Sequence, residues 1–140
     1  TFIYDFVDFM PKLMRAANMI VCKAGGLIVS EALASGLPLM LIDFLPGQEK
    51  GNADFVIENK AGALCLTGKD VLRTLSDWLR VDMKRLHEIA QNAANLVPPD
   101  AATKIASLAL DTLTHPAKKK GNKDSGPLRE LLARFNIPTL

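Results

Sequence analysis

Cysteine is scarce in this sequence, and its two occurrences form no metal or redox pattern. Cys22 and Cys65 each lie inside an apolar run, with no CxxC motif and no Cys/His spacing around them. Isolated cysteines in apolar surroundings behave as small buried side chains. We therefore predict two buried free thiols in a reducing compartment, with no disulfide framework and no metal site.

Long apolar runs and a strong excess of one charge are also missing. No segment is apolar for the roughly 20 residues that a membrane-spanning helix needs, and no signal peptide is visible. The formal net charge is only +2, and a lysine cluster within residues 118–123 carries the excess. The near-neutral remainder excludes a general nucleic-acid-binding surface. The lysine cluster suits either contact with anionic lipid or a solvated linker, and the lack of an aromatic face favours the linker.

Short apolar runs alternate with helical stretches, which is typical of α/β proteins. The runs show no polar alternation, as expected of parallel strands that are covered on both faces. Three strands are few for an independent sheet, so we expect the edge near the first strand to be exposed unless another chain covers it. We predict strands at residues 19–22, 37–42 and 63–66, and helices at residues 27–35, 52–59, 69–79, 82–96 and 101–113.

A glycine turn stands between the first predicted strand and the helix that follows it. Gly25 and Gly26 permit the positive φ and the close backbone approach that such turns use. The N–H groups of Gly26, Leu27 and Ile28 would point out of the helix N-terminus, where phosphate oxygens bind readily. Glu31, about one turn further, is placed to accept two ribose hydroxyls or to offset the helix dipole. Because the spacing fits neither GxGxxG nor GxxxxGK[ST], a plain tight turn with a solvated acid remains the alternative.

A polar loop, residues 43–51, follows the second predicted strand. It lies at the carboxyl end of that strand, which is the edge where open α/β sheets bind ligands. Gln48, Glu49 and Asn52 supply amide and carboxylate groups that suit several sugar hydroxyls at once. A surface loop shaped by Pro46 and Gly47 is the alternative. Two polar loops at one edge, one suited to phosphate and one to hydroxyls, favour a shared ligand.

The N-terminal segment combines an apolar helix with a candidate base-binding backbone. We expect Asp8 to cap a helix whose apolar face includes Met10, and core packing accounts for part of that face. The backbone at Phe6 and Val7 is in addition suited to hydrogen-bond the edge of a base beside an apolar wall.

Together and in this order, the three stretches resemble the family of monogalactosyldiacylglycerol synthases and processive diacylglycerol glucosyltransferases. The family's motifs read GFVxxMPxLM, TKAGPGTIxEAL and PGQExGN, and residues 5–14, 22–33 and 46–52 correspond to them here. The third motif matches at every fixed position. More distantly, the sequence is similar to the bacterial transferase that adds N-acetylglucosamine to lipid-linked muramyl pentapeptide. The resemblance covers residues 3–66, and beyond it the sequence shares only a pattern of helices with the family.

The resemblance implies an α/β fold: a partial Rossmann-like C-terminal domain of a GT-B glycosyltransferase, with a short parallel sheet and flanking helices. It implies inverting transfer of a hexosyl group from UDP-galactose or UDP-glucose to a lipid acceptor such as diacylglycerol, without a cofactor or a metal. The general base is expected in a missing N-terminal domain, so no catalytic residue is assigned and the chain alone should not turn over. The donor-binding residues implied are Phe6, Val7 and Met10 at uracil, Gly25, Gly26 and Leu27 at the diphosphate, Glu31 at the ribose, and Gln48, Glu49 and Asn52 at the sugar.

Two departures from the family's motifs stand out. Asp5 replaces a glycine in the first motif, at the expected base-binding turn. Leu27 and Ile28 replace a Gly-Thr pair in the second motif, which removes a hydroxyl and some backbone freedom near the diphosphate.

We predict a donor-binding domain over residues 1–115, incomplete at its N-terminus, a flexible basic linker over residues 116–126 and a short terminal helix or tail over residues 127–140. The full enzyme is expected to contact a membrane peripherally, at the plastid envelope or at the cytoplasmic face of a bacterial plasma membrane, and to bind no nucleic acid. One alternative is a non-catalytic, donor-like subunit or degenerate domain that acts only with a partner chain. Another is an unrelated nucleotide-binding α/β domain that uses Glu31 for ribose.

Overall fold

The computed structural model of the chain describes residues 1–98 and 100–114. The predicted α/β class is confirmed, because strands and helices alternate through the first two thirds of the described residues. The predicted linker and terminal segment, residues 116–126 and 127–140, lie outside the described residues. The strands are β1 (Ile20–Lys23), β2 (Leu39–Asp43) and β3 (Gly62–Leu64), and the helices are α1 (Met10–Ala16), α2 (Gly26–Ala34), α3 (Lys50–Glu58), α4 (Gly68–Trp78), α5 (Lys84–Leu96) and α6 (Ala101–Thr114).

The three strands form one parallel sheet in the order β1-β2-β3. In the central strand, Leu39, Met40 and Leu41 are fully buried, which agrees with the expectation for a strand covered on both faces. Within the described residues β1 pairs only with β2, and Val21 on it is 51% exposed. Among the described residues the edge at β1 is therefore unpaired, as the sequence predicts.

Apolar side chains cover both faces of the sheet. One cluster gathers around Leu39 and Leu41, and a smaller one gathers around Met40 on the opposite face. Because a parallel sheet needs helices on both faces, these two clusters fix the layered architecture and hold the carboxyl ends of β1 and β2 side by side. The first cluster includes Met14, Ala24, Val29, Ala32, Leu33, Leu37, Ala53, Val56, Ala61 and Ala93, and the second includes Cys65, Trp78, Leu86 and Ile89.

Local sequence signals explain where two of the helices begin and end. Gly36 ends α2, as predicted, with φ +69°, and the Leu37 N–H donates to the Ala32 carbonyl at 2.9 Å. This is a left-handed C-terminal turn that glycine adopts without steric cost. Thr67 begins α4 through a capping box, in which its hydroxyl accepts from the Asp70 N–H and its own N–H donates to the Asp70 carboxylate.

The structure corrects two expectations about helix starts. Asp8 does not cap α1: Phe9 is the N-cap residue and no side chain caps the helix, so Asp8 lies one position too early, while Pro11 fixes the first turn. Helix α5 begins at Lys84 rather than at residue 82, because Asp82 and Met83 have φ of 60° and 51°, which an α-helix cannot contain.

The chain divides into two units, residues 1–99 and residues 100–140. The described part of the second unit is Asp100 followed by α6. Lys104 on α6 pairs with Asp100 at 3.0 Å, and Ile105 and Leu110 are exposed. None of the helices in the described part of the chain is both long and apolar enough to cross a membrane.

Candidate functional site

The turn after β1 presents free backbone donors at the start of α2. The Val29 N–H donates to the Gly25 carbonyl at 3.0 Å and begins the helical hydrogen bonds. The N–H groups of Gly26, Leu27 and Ile28 donate to no other described residue. Leu27 is 82% exposed, so its side chain leaves this end of the helix open to solvent. The positive end of the helix dipole and the free N–H groups suit an anion at this position.

Gly25 and Gly26 are not explained by backbone strain, contrary to the expectation of positive φ at this turn. Gly25 has φ −68°, and the described glycines with positive φ are Gly36 and Gly47. A Cβ at Gly25 would lie 3.8 Å from Glu49 Oε1, and a Cβ at Gly26 would lie 3.7 Å from Asn52 Nδ2. These are ordinary contacts, so the fold would accept alanine at both positions. The space that side chains at these two positions would occupy, next to Glu49 and Asn52, is left unfilled by the described residues, and we call it the gap.

The loop after β2, residues 44–49, is held together by its own carboxylates. Glu49 Oε2 accepts a hydrogen bond from the Leu45 N–H at 2.6 Å, and Asp43 Oδ1 accepts one from the Phe44 N–H at 2.8 Å. Phe44 packs against the larger core cluster and anchors the start of the loop. The Gln48 side chain is exposed and makes no hydrogen bond to another described residue.

Three contacts tie this loop and its two flanking elements, the end of β2 and the first turn of α3, to the end of β1 and the residue after it. The Ala24 N–H donates to the Asp43 carbonyl at 2.9 Å, next to the end of both strands. Asn52 Nδ2 donates to the Ala24 carbonyl at 3.0 Å. Lys23 Nζ lies 3.2 Å from Glu49 Oε1. The two loops are therefore direct neighbours at one sheet edge, as the sequence predicts.

These ties also change the charge balance of the site. Hydrogen bonding from the Leu45 N–H, together with the Lys23 ammonium, holds the pKa of Glu49 below its ordinary value. Glu49 is thus ionised near neutral pH, and its charge is compensated by Lys23. Lys23 is the residue that the sequence interpretation did not select, although it is the last residue of β1 and stands inside the second motif. A cation at the carboxyl end of a strand, directly before a glycine turn, was the available signal.

The other predicted site residues are less closely joined to this pair of loops. Glu31 is exposed on α2, and its carboxylate makes no hydrogen bond or ion pair with another described residue. Phe6 is 92% exposed, Met10 is also exposed and Val7 is half-buried. Within the described residues no hydrogen bond or ion pair links these three to either loop. The structure brings Gly25, Gly26, Glu49 and Asn52 together, and the individual ligand roles stay predictions.

The cysteines form no site with other ligating groups in the part of the chain that the structure describes. Both are free thiols: Cys65 is buried and Cys22 is half-buried, and burial raises the pKa of the Cys22 thiol. Across residues 1–98 and 100–114, no three His, Cys, Asp or Glu side chains are grouped to hold a metal ion.

A separate concavity of about 380 Å³ lies beside β3 and α4. Its lining consists of Ala63, Arg73, Thr74, Asp77 and Trp78, none of which belongs to either loop. Trp78 is 3% exposed and belongs to the smaller core cluster, so the tryptophan is a core residue, as the sequence predicts.

The chain is a glycosyltransferase domain: it belongs to the family described as glycosyltransferase family 28 C-terminal domain, whose model matches residues 1–112. The predicted family membership is confirmed, and the similarity continues well past residue 66. The chain is 38% identical over 96 residues to "Monogalactosyldiacylglycerol synthase 3, chloroplastic" of Arabidopsis thaliana, covering 69% of the chain and 21% of that protein. It is 38% identical over 100 residues to "Probable monogalactosyldiacylglycerol synthase, chloroplastic" of Glycine max, covering 71% of the chain and 19% of that protein. The chain thus spans about a fifth of the length of these curated relatives.

Proposed function

We propose that this chain is the donor-binding part of a hexosyltransferase that moves a hexosyl group from UDP-galactose or UDP-glucose to a lipid such as diacylglycerol, with inversion. Membership of the family and the names of the relatives support this assignment. The general base belongs to the acceptor half of such an enzyme, so no residue of this chain is assigned to it.

One observation carries the proposal: a set of free backbone donors lies beside Gly25 and Gly26, where no side chain fills the space next to the carboxylate of Glu49 and the amide of Asn52. The gap exists because residues 25 and 26 are glycines that the fold itself does not require. A diphosphate in this gap would receive hydrogen bonds from the N–H groups of Gly26, Leu27 and Ile28. Negative charge grows on the departing UDP during transfer, and preorganised donors at a helix N-terminus stabilise such charge.

The remaining parts of the donor follow from this placement. Gln48, with its exposed amide, and the neighbouring carboxylate of Glu49 would bind sugar hydroxyls. Glu31 would accept the ribose hydroxyls from the exposed face of α2. Phe6, Val7 and Met10 would contact uracil, which requires the exposed N-terminal segment to fold over the nucleotide. The chemistry assigned to these residues needs neither a cofactor nor a metal ion.

We further propose that the enzyme acts at the plastid envelope as a peripheral membrane protein, since the relatives are named as chloroplastic. A bacterial plasma membrane is the alternative. Co-fractionation of the intact protein with isolated envelope membranes is expected for the proposed location. A protein that stays in the unbound fraction would contradict membrane contact.

Calorimetric titration of the intact protein with UDP, UDP-galactose, UDP-glucose, ADP and NAD tests the donor assignment. We expect binding of UDP and of one UDP-hexose, and a preference for ADP or NAD would contradict the proposal. Transfer of labelled hexose to diacylglycerol tests the reaction. Activity that appears only after a partner chain is added would identify a donor-like subunit instead.

Glu31→Ala tests the ribose contact. Hydrogen bonds to a charged group contribute about 1.5–3 kcal/mol, so we expect UDP affinity to fall by about tenfold or more while the fold is unchanged. Glu58→Ala removes another exposed helical carboxylate, at the far end of α3, and should leave UDP affinity unchanged. Equal UDP affinities for the two variants would exclude Glu31 from the ribose site.

A further inference from the structure

Two polar side chains in the candidate site point at the protein rather than at the open gap. The Asn52 side-chain amide donates a hydrogen bond to the Ala24 carbonyl at 3.0 Å, and Ala24 is fully buried. Lys23 directs its ammonium at Glu49 Oε1 at 3.2 Å. Glu49 ends the loop after β2 and Asn52 lies in the first turn of α3, so each contact joins this segment to the end of β1.

Glu49 is the junction of this arrangement. One of its carboxylate oxygens accepts from the Leu45 N–H inside its own loop, and the other faces Lys23. Its side chain is only 17% exposed, whereas that of Lys23 is 47% exposed. The carboxylate is therefore fixed at both oxygens, and its position depends on the cation at the end of β1.

The location of Glu49 makes its orientation matter for a ligand that meets both loops. Glu49 Oε1 lies 3.8 Å from the position that a Cβ on Gly25 would occupy, so a carboxylate borders the gap. The ion pair with Lys23 and the hydrogen bond from the Leu45 N–H keep this carboxylate on the side of the loop after β2.

We propose that Lys23 and Asn52 are positioning residues: their contacts with Glu49 and Ala24 hold the loop after β2 at a fixed spacing from the glycine turn, so that one donor molecule meets both loops at once. This inference rests on the proposed function. It assigns to Asn52 a structural tie in place of a direct sugar contact, and it adds Lys23 to the site.

The proposal predicts a selective loss of affinity. UDP alone needs the glycine turn, whereas a UDP-hexose must also meet the loop after β2. When a tie is removed, that loop has to be ordered during binding of the hexosyl part, and this ordering weakens affinity for the complete donor. A direct phosphate ligand would instead weaken UDP and UDP-hexose equally.

The experiment compares Lys23→Met and Asn52→Leu by calorimetric titration of the intact protein with UDP and with the preferred UDP-hexose. Each variant should lose about 2- to 10-fold in UDP-hexose affinity, as expected for one hydrogen bond or ion pair, with UDP affinity nearly unchanged. Lys23→Arg keeps the charge and should restore most of the loss. Glu49→Gln breaks the same ion pair as Lys23→Met. The double variant should therefore lose no more order in the loop after β2 than Lys23→Met alone.

Two matched controls use contacts of the same type elsewhere. Arg85→Met removes an exposed ion pair of the same 3.2 Å length, Arg85 with Glu88 on α5. Asn92→Leu removes a side-chain amide that donates to a backbone carbonyl at 3.0 Å, that of Lys60. Neither control should change the ratio of UDP-hexose affinity to UDP affinity.

Hydrogen exchange at the Leu45 amide measures the ties without any ligand. Lys23→Met and Asn52→Leu should both speed this exchange by several-fold relative to the controls, and unchanged exchange overturns the positioning role. Equal losses for UDP and UDP-hexose also overturn it and make Lys23 a phosphate ligand. If the unaltered protein binds neither UDP nor UDP-hexose, the proposed function fails, while the exchange result still decides whether the ties order the loop.

Discussion

Replacing Gly26 with alanine separates the demands of the fold from those of a ligand. Gly26 is the first residue of α2, and the added Cβ would have Asn52 Nδ2 as its neighbour, at 3.7 Å. Nothing in the described protein has to move to accept that methyl group. Alanine is also favoured over glycine in helices by up to about 1 kcal/mol, so the free energy of unfolding should be unchanged or slightly higher.

Donor binding should respond in the opposite direction. The new methyl group would stand in the gap between the glycine turn and the loop after β2, where the diphosphate is proposed to lie. Inserting a methyl group into a closely packed contact typically costs about 1–3 kcal/mol. UDP affinity of the Gly26→Ala variant should therefore fall by about 5- to 150-fold.

Calorimetric titration with UDP, paired with thermal unfolding followed by circular dichroism, measures both effects. Gly68→Ala is the matched control, because Gly68 is the first residue of α4 and a Cβ there meets nothing within 4 Å. It should behave like the unaltered protein in both assays. The reasoning is refuted if Gly26→Ala binds UDP as well as Gly68→Ala does, or if it unfolds at a clearly lower temperature.

Two further predictions concern stability and pH. In Gly62→Ala the new Cβ would lie 2.1 Å from the Leu39 carbonyl oxygen and 2.7 Å from Val56 Cγ1. We expect the free energy of unfolding to fall by about 3 kcal/mol or more and the thermal midpoint to fall by about 10 °C. An unchanged midpoint would contradict this clash. Because the pKa of Glu49 is lowered in the folded chain, its stabilising effect is present above the ordinary glutamate pKa and is lost as the pH falls through the lowered one. Exchange protection at Leu45 should decline over that acidic range and be flat in Glu49→Gln; parallel curves for the two proteins would exclude Glu49 as the group responsible.

The layered fold was predictable from residue type because a strand that is buried on both faces consists of apolar residues without polar alternation. The run around Leu39, Met40 and Leu41 has no polar alternation, and its short length between two helical stretches favours a strand covered on both faces. The left-handed backbone at Asp82 and Met83 leaves no comparable mark, since methionine favours helices and aspartate suits the start of a helix as well as a left-handed turn.

The neighbourhood of the two loops was predictable, but the partners of their side chains were not. Parallel strands β1 and β2 end at one edge, so topology alone places the following loops together. Lys23 and Glu49, like Asn52 and Ala24, are far apart in the sequence and meet only through the register of the strands. A motif that contains Glu and Asn cannot reveal whether these groups face a ligand or each other.

The glycines show how structure resolves an ambiguity that sequence leaves open. Gly36 is required by its positive φ, and Gly62 by the Leu39 carbonyl that a side chain would strike. Gly25 and Gly26 meet neither requirement, and the proposed approach of a diphosphate to this turn would account for both. Since that turn offers free N–H groups and faces a loop whose nearest carboxylate is already neutralised by Lys23, an anionic group carrying hydroxyls on its far side is the ligand that satisfies every one of these features.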